Sequence, residues 1–360
     1  MPKKMKAAFI WKFGEPLRFD EVDVPEPKAD ELLVKVGACG MCRSDYQQMH
    51  GYFETALPTE LPIILGHEIA GHIVGKGAVV PDGVGLNEGD LVAVDPGWGD
   101  GTCQQCLKGN TQLCTGSGRW VGFGPPGGYA EYVAVPYQHA VKVKPGEGQG
   151  PEFFAPLTDA GATPYRGIKK LVERGNFTAG HTVVVTGIGG LGSYAVQYAR
   201  LFSGGADIVA FSRTQDKLDL ALRYGADHVI NTRDATPDDV QDQLEKLTGR
   251  RRVDAILDCS GAQESIDIGF RILNSGSDVA QVGLMSSSAR FPVNLVVGTE
   301  LTWHGSFWSN HQDIAEVLAL AAAGKVQNTI TPVKFEDANE NLEKVAHGDV
   351  VGRQVIVFDG

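Results

Sequence analysis

The 360-residue sequence predicts an α/β protein with two domains, one mostly β and the other built on a doubly wound parallel sheet. Its length is one reason, because a chain of this size is too long for a single hydrophobic core. A change of pattern is the other. Short β-branched runs separated by Gly and Pro dominate the first ~150 residues, whereas strand-like and helical segments alternate from Ala155 onward.

The first part of the chain carries five short segments rich in apolar and β-branched residues, which favour strands. Helical periodicity is scarce there, so the segments predict a compact, mostly antiparallel β domain with long loops. The five segments are Leu32–Val36, Ile69–Val74, Leu91–Val94, Tyr132–Val135 and Ala140–Val143.

From Ala155 onward, strands and helices are expected to alternate, which predicts a parallel sheet covered by helices. The predicted strands are Val183–Val185, Ile208–Phe211, His228–Ile230, Ala255–Leu257 and Val279–Val282, and the predicted helices begin near Ser193 or cover Lys217–Tyr224, Val240–Leu247 and Ile266–Leu273. After Trp303 we expect one more helix, Asp313–Ala323, and a final strand, Arg353–Phe358.

Charge and apolar content limit the possible partners. The formal net charge is −12, which argues against nucleic acid and against anionic membrane surfaces. No apolar run approaches the ~20 residues that span a bilayer, and Lys12 interrupts the apolar stretch after the basic N-terminus, unlike in a signal peptide. We therefore expect a cytoplasmic protein with neither a membrane nor a nucleic acid as partner.

Three separated segments contain residues of the types that bind zinc: Cys42-Arg43-Ser44-Asp45, Gly66-His67-Glu68 and Leu157-Thr158-Asp159-Ala160-Gly161. A thiolate, an imidazole and a carboxylate would supply three ligands and leave the fourth position of zinc open for substrate, which is typical of a catalytic site. Ser44, two residues from the cysteine, could pass the proton of a zinc-bound alcohol. The alternative for Asp159 is a helix N-cap.

A glycine-rich hexapeptide, Gly187-Ile188-Gly189-Gly190-Leu191-Gly192, follows the apolar run Thr182–Thr186 and precedes a helical segment. That context predicts a dinucleotide site with its anion at the helix N-terminus. Gly187 permits the tight turn, Gly189 lets the backbone approach the pyrophosphate, and Gly192 lets helix and strand pack closely. A metal and a dinucleotide together indicate hydride transfer between an alcohol or carbonyl and a nicotinamide.

The end of the second predicted strand in this part, Ile208–Phe211, distinguishes the two nicotinamide dinucleotides. NAD requires an acidic residue there, which binds the ribose hydroxyls and repels a 2′-phosphate. This sequence has Ser212 and Arg213 instead, a hydroxyl donor and a guanidinium suited to phosphate. We therefore predict NADP(H), to which Lys217 could add charge; the alternative is NAD(H), with Arg213 as an ordinary solvated arginine.

The histidine segment extends to Gly66-His67-Glu68-x2-Gly71-x5-Gly77-x2-Val80. Together with the Cys-x-Ser-Asp segment upstream, this pattern resembles the zinc-dependent medium-chain alcohol dehydrogenases, and the resemblance covers essentially the whole chain. It implies a mostly β, GroES-like catalytic domain from residues 1–157 and 306–360, and a Rossmann domain from residues 158–305. It also implies a small alcohol or carbonyl substrate and a homo-oligomer, either a tetramer or a dimer.

The resemblance assigns roles around the catalytic zinc. Cys42, His67 and Asp159 would bind it, with Asp159 at a position where many members have a cysteine. Asp45 would hydrogen-bond His67 and so fix its tautomer, and Glu68 would assist ligand exchange at the metal.

Proton transfer and pyrophosphate binding involve further residues by the same resemblance. Ser44 would receive the alcohol proton. Many members pass that proton to a histidine, but Gln47 stands at this position, so the route continues through ribose and water, through His50, or directly to solvent. Arg43 and Arg353 resemble residues that contact the pyrophosphate, and each is otherwise an ordinary surface arginine.

A second metal site is indicated by Asp100-x2-Cys103-x2-Cys106-x7-Cys114. Thiols at this spacing in an intracellular chain favour a metal over disulfides. Family members often carry four cysteines at the same spacing around a structural zinc, and here an aspartate takes the first place. Three thiolates and a carboxylate are a reasonable tetrahedral set, so we expect a structural zinc, with a metal-free loop as the alternative.

Seven aromatic residues fall in or near the segments that form the substrate pocket in the family: Tyr52, Phe53, Trp98, Trp120, Phe123, Phe307 and Trp308. An aromatic lining suits a medium-sized or bulky apolar substituent, and the segment around Asp159 resembles enzymes of secondary alcohols. Two alternatives stay open: a polyol or sugar dehydrogenase of the same family, and a catalytically silent relative that binds NADPH.

Overall fold

The computed structural model describes residues 2–55, 57, 59–116 and 118–358. The chain divides into two compact units. The first unit extends to Ala162 and resumes at Ser309, and the second unit is the continuous segment Thr163–Trp308. None of the helices in the described residues has the length and apolar character that a membrane crossing requires.

Strands make up most of the regular structure of the first unit and the centre of the second. In chain order, the strands of the described residues are β1 (Lys4–Ile10), β2 (Arg18–Asp23), β3 (Glu31–Gly40), β4 (Ile63–Ile64), β5 (Glu68–Lys76), β6 (Leu91–Val94), β7 (Gly97–Trp98), β8 (Arg119–Trp120), β9 (Tyr132–Pro136), β10 (Ala140–Lys142), β11 (Thr182–Thr186), β12 (Asp207–Ser212), β13 (His228–Asn231), β14 (Val253–Asp258), β15 (Leu273–Gln281), β16 (Thr302–Gly305), β17 (Ile330–Val333) and β18 (Arg353–Val357). Every strand that the sequence predicts overlaps one of these.

Helices cover the sheet of the second unit and connect strands in the first. In the described residues they are α1 (Arg43–Met49), α2 (Gln104–Leu107), α3 (Pro151–Phe154), α4 (Ala162–Glu173), α5 (Gly190–Leu201), α6 (Gln215–Arg223), α7 (Pro237–Thr248), α8 (Gln263–Ile272), α9 (Val293–Gly298), α10 (His311–Ala322) and α11 (Ala338–His347). The helix expected from about Ser193 begins earlier, at Gly190, within the glycine-rich hexapeptide.

The main sheet of the first unit has the strand order β10–β6–β5–β3–β18–β17, with β9 also paired to β3. All of these pairings are antiparallel except that of β17 with β18. The central strand β3 is buried along most of its length and shares one hydrophobic core with Ile69, Val92 and Tyr129. The predicted mostly antiparallel β domain is confirmed.

The pairing of β3 with β5 positions the residues of the metal motif. Gly40, at the end of β3, lies opposite Glu68, at the start of β5. A Cβ at position 40 would lie 1.8 Å from Glu68 Oε2, so the glycine leaves the space that the carboxylate occupies. Because Cys42 follows β3 and His67 precedes β5, the strand pair brings both residues to the same end of the sheet.

Six parallel strands form the sheet of the second unit, in the order β13–β12–β11–β14–β15–β16. The chain begins at the centre with β11, moves outward through β12 and β13, and returns to the other side of β11 with β14. The order therefore reverses between β11 and β14, and in open sheets of this kind ligands bind at the carboxyl ends of the strands beside such a reversal. The predicted doubly wound parallel sheet is confirmed.

Candidate zinc and dinucleotide sites

One cluster of buried ligand atoms lies in the first unit, and its members are Cys42, His67, Glu68 and Asp159. Cys42 directly precedes α1, His67 directly precedes β5, and Asp159 follows a short 3-10 turn. Asp159 Oδ2 lies 3.4 Å from Cys42 Sγ and 3.3 Å from His67 Nε2. The folded chain thus brings together the three residues that the sequence predicts as ligands.

These distances fit a tetrahedral zinc ion. The bond lengths of zinc to sulfur, nitrogen and oxygen imply about 3.3–3.6 Å between ligand atoms at tetrahedral angles. Cys42, His67 and Asp159 are at most 5% exposed. A buried carboxylate and a buried thiolate side by side are costly unless a cation compensates their charge. The donor set therefore fits one zinc ion with three protein ligands.

A fully buried carboxylate, Asp45, orients two of these ligands. Its Oδ1 accepts a hydrogen bond from His67 Nδ1 at 3.0 Å, and its Oδ2 accepts one from the backbone N–H of Cys42 at 2.8 Å. Tyr129 OH donates a third hydrogen bond, to Oδ2, at 3.1 Å. Sequence reasoning missed Tyr129, and the one available signal is that a tyrosine in an apolar segment needs a partner for its buried hydroxyl.

The hydrogen bonds around His67 also affect its pKa. Burial by itself lowers the pKa of His67, but the Asp45 carboxylate, with hydrogen bonds to Asp159 and Cys42, raises it well above its ordinary value. Nδ1 is bonded to Asp45, so Nε2 is the atom that faces Asp159. Zinc would bind at this nitrogen, which requires the neutral imidazole.

Glu68 forms a buried ion pair with Arg353. The Nε of Arg353 donates to Glu68 Oε2 at 2.9 Å, and a terminal nitrogen of the same guanidinium donates to Oε1. The backbone N–H of Ala160 also donates to Oε1, at 3.1 Å. Burial raises the pKa of Glu68 to about 7, against the opposing charge of Arg353. Arg353 thus lies beside the ligand cluster, 3.8 Å from Asp159 Oδ2, and its contact with a pyrophosphate stays a prediction.

Three other predicted residues of the α1 segment lie in different surroundings. Ser44 is half-buried, and its Oγ donates to Cys42 Sγ at 3.0 Å, so the hydroxyl reaches the ligand cluster. His50 is exposed at the C-terminal end of α1, where its Nδ1 donates to the carbonyl of Tyr46 at 2.9 Å. Arg43 Nε is buried and has no hydrogen-bond partner among the described residues, and the contact of Arg43 with a pyrophosphate stays a prediction.

The second predicted set of metal ligands also comes together, and its members are Asp100, Cys103, Cys106 and Cys114. Cys103 Sγ lies 3.6 Å from Cys106 Sγ and 3.8 Å from Cys114 Sγ. Zinc–thiolate bonds at tetrahedral angles separate the sulfur atoms by about 3.8 Å. Backbone hydrogen bonds from Cys106 and Thr115 lower the pKa of Cys103 to about 6, whereas burial raises the pKa of Cys106 to about 12. The geometry fits one zinc ion.

The glycine-rich loop joins β11 to α5 in the second unit. Gly187 has a φ of +83°, and a Cβ there would lie 2.8 Å from Ser260 Cβ. A Cβ at Gly192 would lie 2.3 Å from the carbonyl oxygen of Gly187, so the helix packs closely on the loop. A Cβ at Gly189 would meet nothing within 4 Å, so this side of the loop is open. A pyrophosphate that approaches the backbone requires these features.

The predicted phosphate-selecting residues follow the end of β12. Ser212 is the last residue of that strand and is buried, Arg213 is exposed, and Lys217 is half-buried on α6. The N–H of Gly187 donates to the carbonyl of Phe211 at 3.0 Å, so the glycine-rich loop is tied to the end of β12. Ser212 and Arg213 therefore lie at the same edge of the sheet as this loop.

Three of the aromatic residues predicted for the substrate pocket lie near His67, one of the predicted zinc ligands. Phe123 packs against His67, with ring centroids 5.2 Å apart. Phe53 packs edge-on against Phe123 at 5.7 Å, and Tyr52 contacts Phe53 in the same way at 4.9 Å. These rings give the ligand cluster an apolar neighbour.

The other four aromatic residues belong to β7, to β8 and to the end of the second unit. Trp98 is buried, and its Nε1 donates to the carbonyl of Asp95 at 2.8 Å, so it belongs to the packing of the first unit. Trp120 is half-buried in β8. Phe307 and Trp308 stack on each other in the second unit, with ring centroids 5.1 Å apart.

Comparison with known proteins gives two matching family models, an alcohol dehydrogenase GroES-like domain over residues 28–145 and a zinc-binding dehydrogenase over residues 190–323. NAD-dependent alcohol dehydrogenase of Sulfurisphaera tokodaii is 36% identical over 98% of this chain and 100% of the relative. D-arabinose 1-dehydrogenase (NADP(+)) of Saccharolobus solfataricus is 33% identical over 98% of this chain and 97% of the relative. The structure of acetophenone reductase from Geotrichum candidum in complex with NAD has a TM-score of 0.86 and 31% identity, covering 99% of this chain and 98% of that chain. The predicted GroES-like and Rossmann folds are confirmed.

Two glycine substitutions separate packing from cofactor binding. We expect Gly192→Ala to lower the free energy of unfolding by about 1–3 kcal/mol, because the new Cβ overpacks against the Gly187 backbone. Gly189→Ala should leave stability unchanged, because its Cβ points into open space, and should weaken the binding of ADP-ribose. Urea unfolding and calorimetric titration measure the two effects. Equal destabilisation by both substitutions would contradict this interpretation.

A tyrosine pair tests the hydrogen bond to Asp45. We expect Tyr129→Phe to lower the free energy of unfolding by about 1–3 kcal/mol, because the buried Asp45 carboxylate loses a donor. Tyr198→Phe is the matched control: Tyr198 is also fully buried, but its hydroxyl has no partner among the described residues. The control should be neutral or stabilising in urea unfolding, and a Tyr129→Phe protein as stable as the wild type would argue against the role of this hydrogen bond.

Proposed function

Because the chain belongs to the zinc-dependent medium-chain alcohol dehydrogenase family, we propose that it interconverts an alcohol and its aldehyde or ketone by hydride transfer with NADP(H). The observation that carries the proposal is the buried cluster of Cys42, His67 and Asp159, whose spacing suits zinc. A catalytically silent relative needs no such cluster, so its presence favours an active enzyme.

The zinc would be held by Cys42, His67 and Asp159, and Asp45 would keep the Nε2 of His67 directed toward it. When bound, the zinc supplies Lewis acidity, which polarises a carbonyl and lowers the pKa of an alcohol. The Asp159 carboxylate donates less electron density to the ion than the thiolate that many family members have there, and so leaves it a stronger Lewis acid.

Ser44 would transfer the proton. In reduction, a bound dihydronicotinamide would supply the hydride that forms the new C–H bond at the carbonyl carbon, and Ser44 would give its hydroxyl proton to the oxygen as the C=O π bond breaks. A proton from solvent restores the Ser44 hydroxyl, and the products are the alcohol and the oxidised cofactor. Alcohol oxidation follows the same steps in reverse. The 3.0 Å distance from Ser44 Oγ to Cys42 Sγ supports this role.

The end of β12 supports NADP(H) over NAD(H). Ser212 and Arg213 stand where an NAD enzyme requires a carboxylate, so nothing at this position repels a 2′-phosphate. Relatives of this chain carry both cofactors in their names, NAD in one case and NADP(+) in another. The choice therefore depends on this chain's own residues.

The rings of Tyr52, Phe53 and Phe123 support a substrate with a medium-sized or bulky apolar group, such as a secondary alcohol or its ketone. The similarity to acetophenone reductase points in the same direction. A polyol or sugar dehydrogenase is the alternative, and the similarity to D-arabinose 1-dehydrogenase favours it. A sugar needs polar partners, however, and the three rings beside His67 offer few.

Further features complete the proposed enzyme. We propose a structural zinc bound by Asp100, Cys103, Cys106 and Cys114. We also propose a catalytic domain formed by residues 1–157 and 306–360 and a Rossmann domain formed by residues 158–305. The protein is further proposed to be a cytoplasmic homo-oligomer. All six cysteines are free of disulfides, which suits a reducing compartment. Two zinc ions per chain would support both metal sites, whereas one would favour the metal-free loop.

Initial rates test the proposed function directly. We expect zinc-replete protein to oxidise NADPH at least about tenfold more efficiently than NADH with its best ketone or aldehyde, because Arg213 pairs with the 2′-phosphate. The panel contains aryl and alkyl ketones, aldehydes and ketoses. Equal or better rates with NADH would overturn the cofactor assignment and leave the dehydrogenase standing. Activity confined to ketoses would favour a polyol or sugar dehydrogenase. No turnover with any substrate would favour a catalytically silent relative that binds NADPH.

A further inference from the structure

The carboxyl ends of β12 and β13 place a second arginine beside Arg213. The two strands are parallel neighbours, with Ser212 opposite Asn231. Arg213 directly follows the first of these residues, and Arg233 lies two positions after the second. Arg233 Nε donates a hydrogen bond to the carbonyl oxygen of Arg213 at 2.8 Å. The guanidinium of Arg233 is therefore fixed next to the backbone that carries Arg213.

The turn after β13 holds Arg233 in this place. The N–H of Thr232 donates to the carbonyl of Ser212 at 2.9 Å, which attaches the turn to the end of β12. Asn231 Oδ1 accepts a hydrogen bond from the N–H of Arg233, also at 2.9 Å. Asp234 then adopts a φ of 59°, a left-handed conformation that few non-glycine residues take. These contacts orient the backbone of Arg233 before any ligand arrives.

Arg213 and Arg233 differ from several other arginines of the same unit because they lack a carboxylate partner. Both side chains are exposed. Within the described residues, no carboxylate oxygen lies within 4.0 Å of a guanidinium nitrogen of either arginine, and this includes Asp234, the residue after Arg233. Others in this unit do pair with carboxylates, namely Arg200, Arg250, Arg251 and Arg271. Because Arg233 uses its Nε on a carbonyl, its two terminal amino groups remain for another acceptor. Two arginines without a carboxylate partner, one of them bonded to the backbone of the other, favour a doubly charged anion.

We propose that Arg233 is a specificity-determining residue that binds the 2′-phosphate of NADP(H) together with Ser212 and Arg213. In sheets of this type the ribose of the cofactor lies at the end of the second strand, which here is β12. The turn after β13 adjoins that position through the bond from Arg233 to the Arg213 carbonyl. This inference rests on the proposed use of NADP(H) and adds a residue from a different strand to the phosphate site.

Binding of two small probes tests the proposal without catalysis. The probe 2′,5′-ADP carries the 2′-phosphate on the adenosine ribose, and 5′-AMP lacks it. We expect Arg233→Gln to raise the Kd of 2′,5′-ADP about tenfold in calorimetric titration and to leave the Kd of 5′-AMP unchanged. Unchanged 5′-AMP binding shows at the same time that the variant is folded.

A matched control removes the same charge elsewhere. Arg223, the last residue of α6, is exposed and lacks a carboxylate partner within 4.0 Å in the described part of the chain. Arg223→Gln should leave both Kd values unchanged. If Arg223→Gln and Arg233→Gln weaken 2′,5′-ADP equally, net charge explains the effect and the proposal is overturned.

The wild-type protein distinguishes failure of this inference from failure of the proposed cofactor. If it binds 2′,5′-ADP no better than 5′-AMP, the NADP(H) proposal fails and the role of Arg233 fails with it. If it prefers 2′,5′-ADP and Arg233→Gln keeps that preference in full, the inference about Arg233 is wrong and the NADP(H) proposal stands.

Discussion

The first unit depends on the buried carboxylate of Asp45. A carboxylate without exposure to water is stable only when hydrogen bonds compensate its charge, and Asp45 receives them from Cys42, His67 and Tyr129. These donors belong to three different segments of the chain, after β3, before β5 and before β9. The interactions that satisfy this one charge therefore also fix the positions of two proposed zinc ligands, Cys42 and His67. Folding of the first unit and assembly of the metal site share the same contacts.

The second unit uses backbone geometry rather than buried charge. Gly187 turns the chain with a positive φ, Gly192 brings α5 close to the loop, and Gly189 leaves a surface that a ligand can approach. In our proposal, specificity is added by exposed arginines at the strand ends, where the Arg233 side chain is bonded to the carbonyl of Arg213. The two arrangements differ: the proposed metal site needs a cation to compensate buried anions, whereas the proposed phosphate site offers exposed, hydrated cations to an anion.

Many of the strands and proposed metal ligands could be predicted because short, contiguous sequence segments determine them. The strands β11 and β12 are buried on both faces and so appear as continuous apolar runs. The proposed ligands Cys42 and His67 stand in local sequence motifs. In contrast, β2 was not predicted, because none of its residues is fully buried and its sequence lacks an apolar pattern. Two other features could not be predicted for a different reason: the hydrogen bond of Tyr129 to Asp45 and the ion pair of Arg353 with Glu68. Their partners, Asp45 and Glu68, lie 84 and 285 positions away, so only the folded chain shows these contacts.

The most direct test of the central claim is anomalous diffraction at the zinc absorption edge from crystals of the zinc-replete protein. We predict an anomalous peak in the first unit, about 2.0–2.3 Å from Cys42 Sγ, His67 Nε2 and Asp159 Oδ2. Ligand bonds to all three atoms would establish that the buried cluster is a metal site with one position left for substrate. A zinc-replete crystal with no peak at this cluster, or with a peak at the cysteine loop alone, would contradict the account.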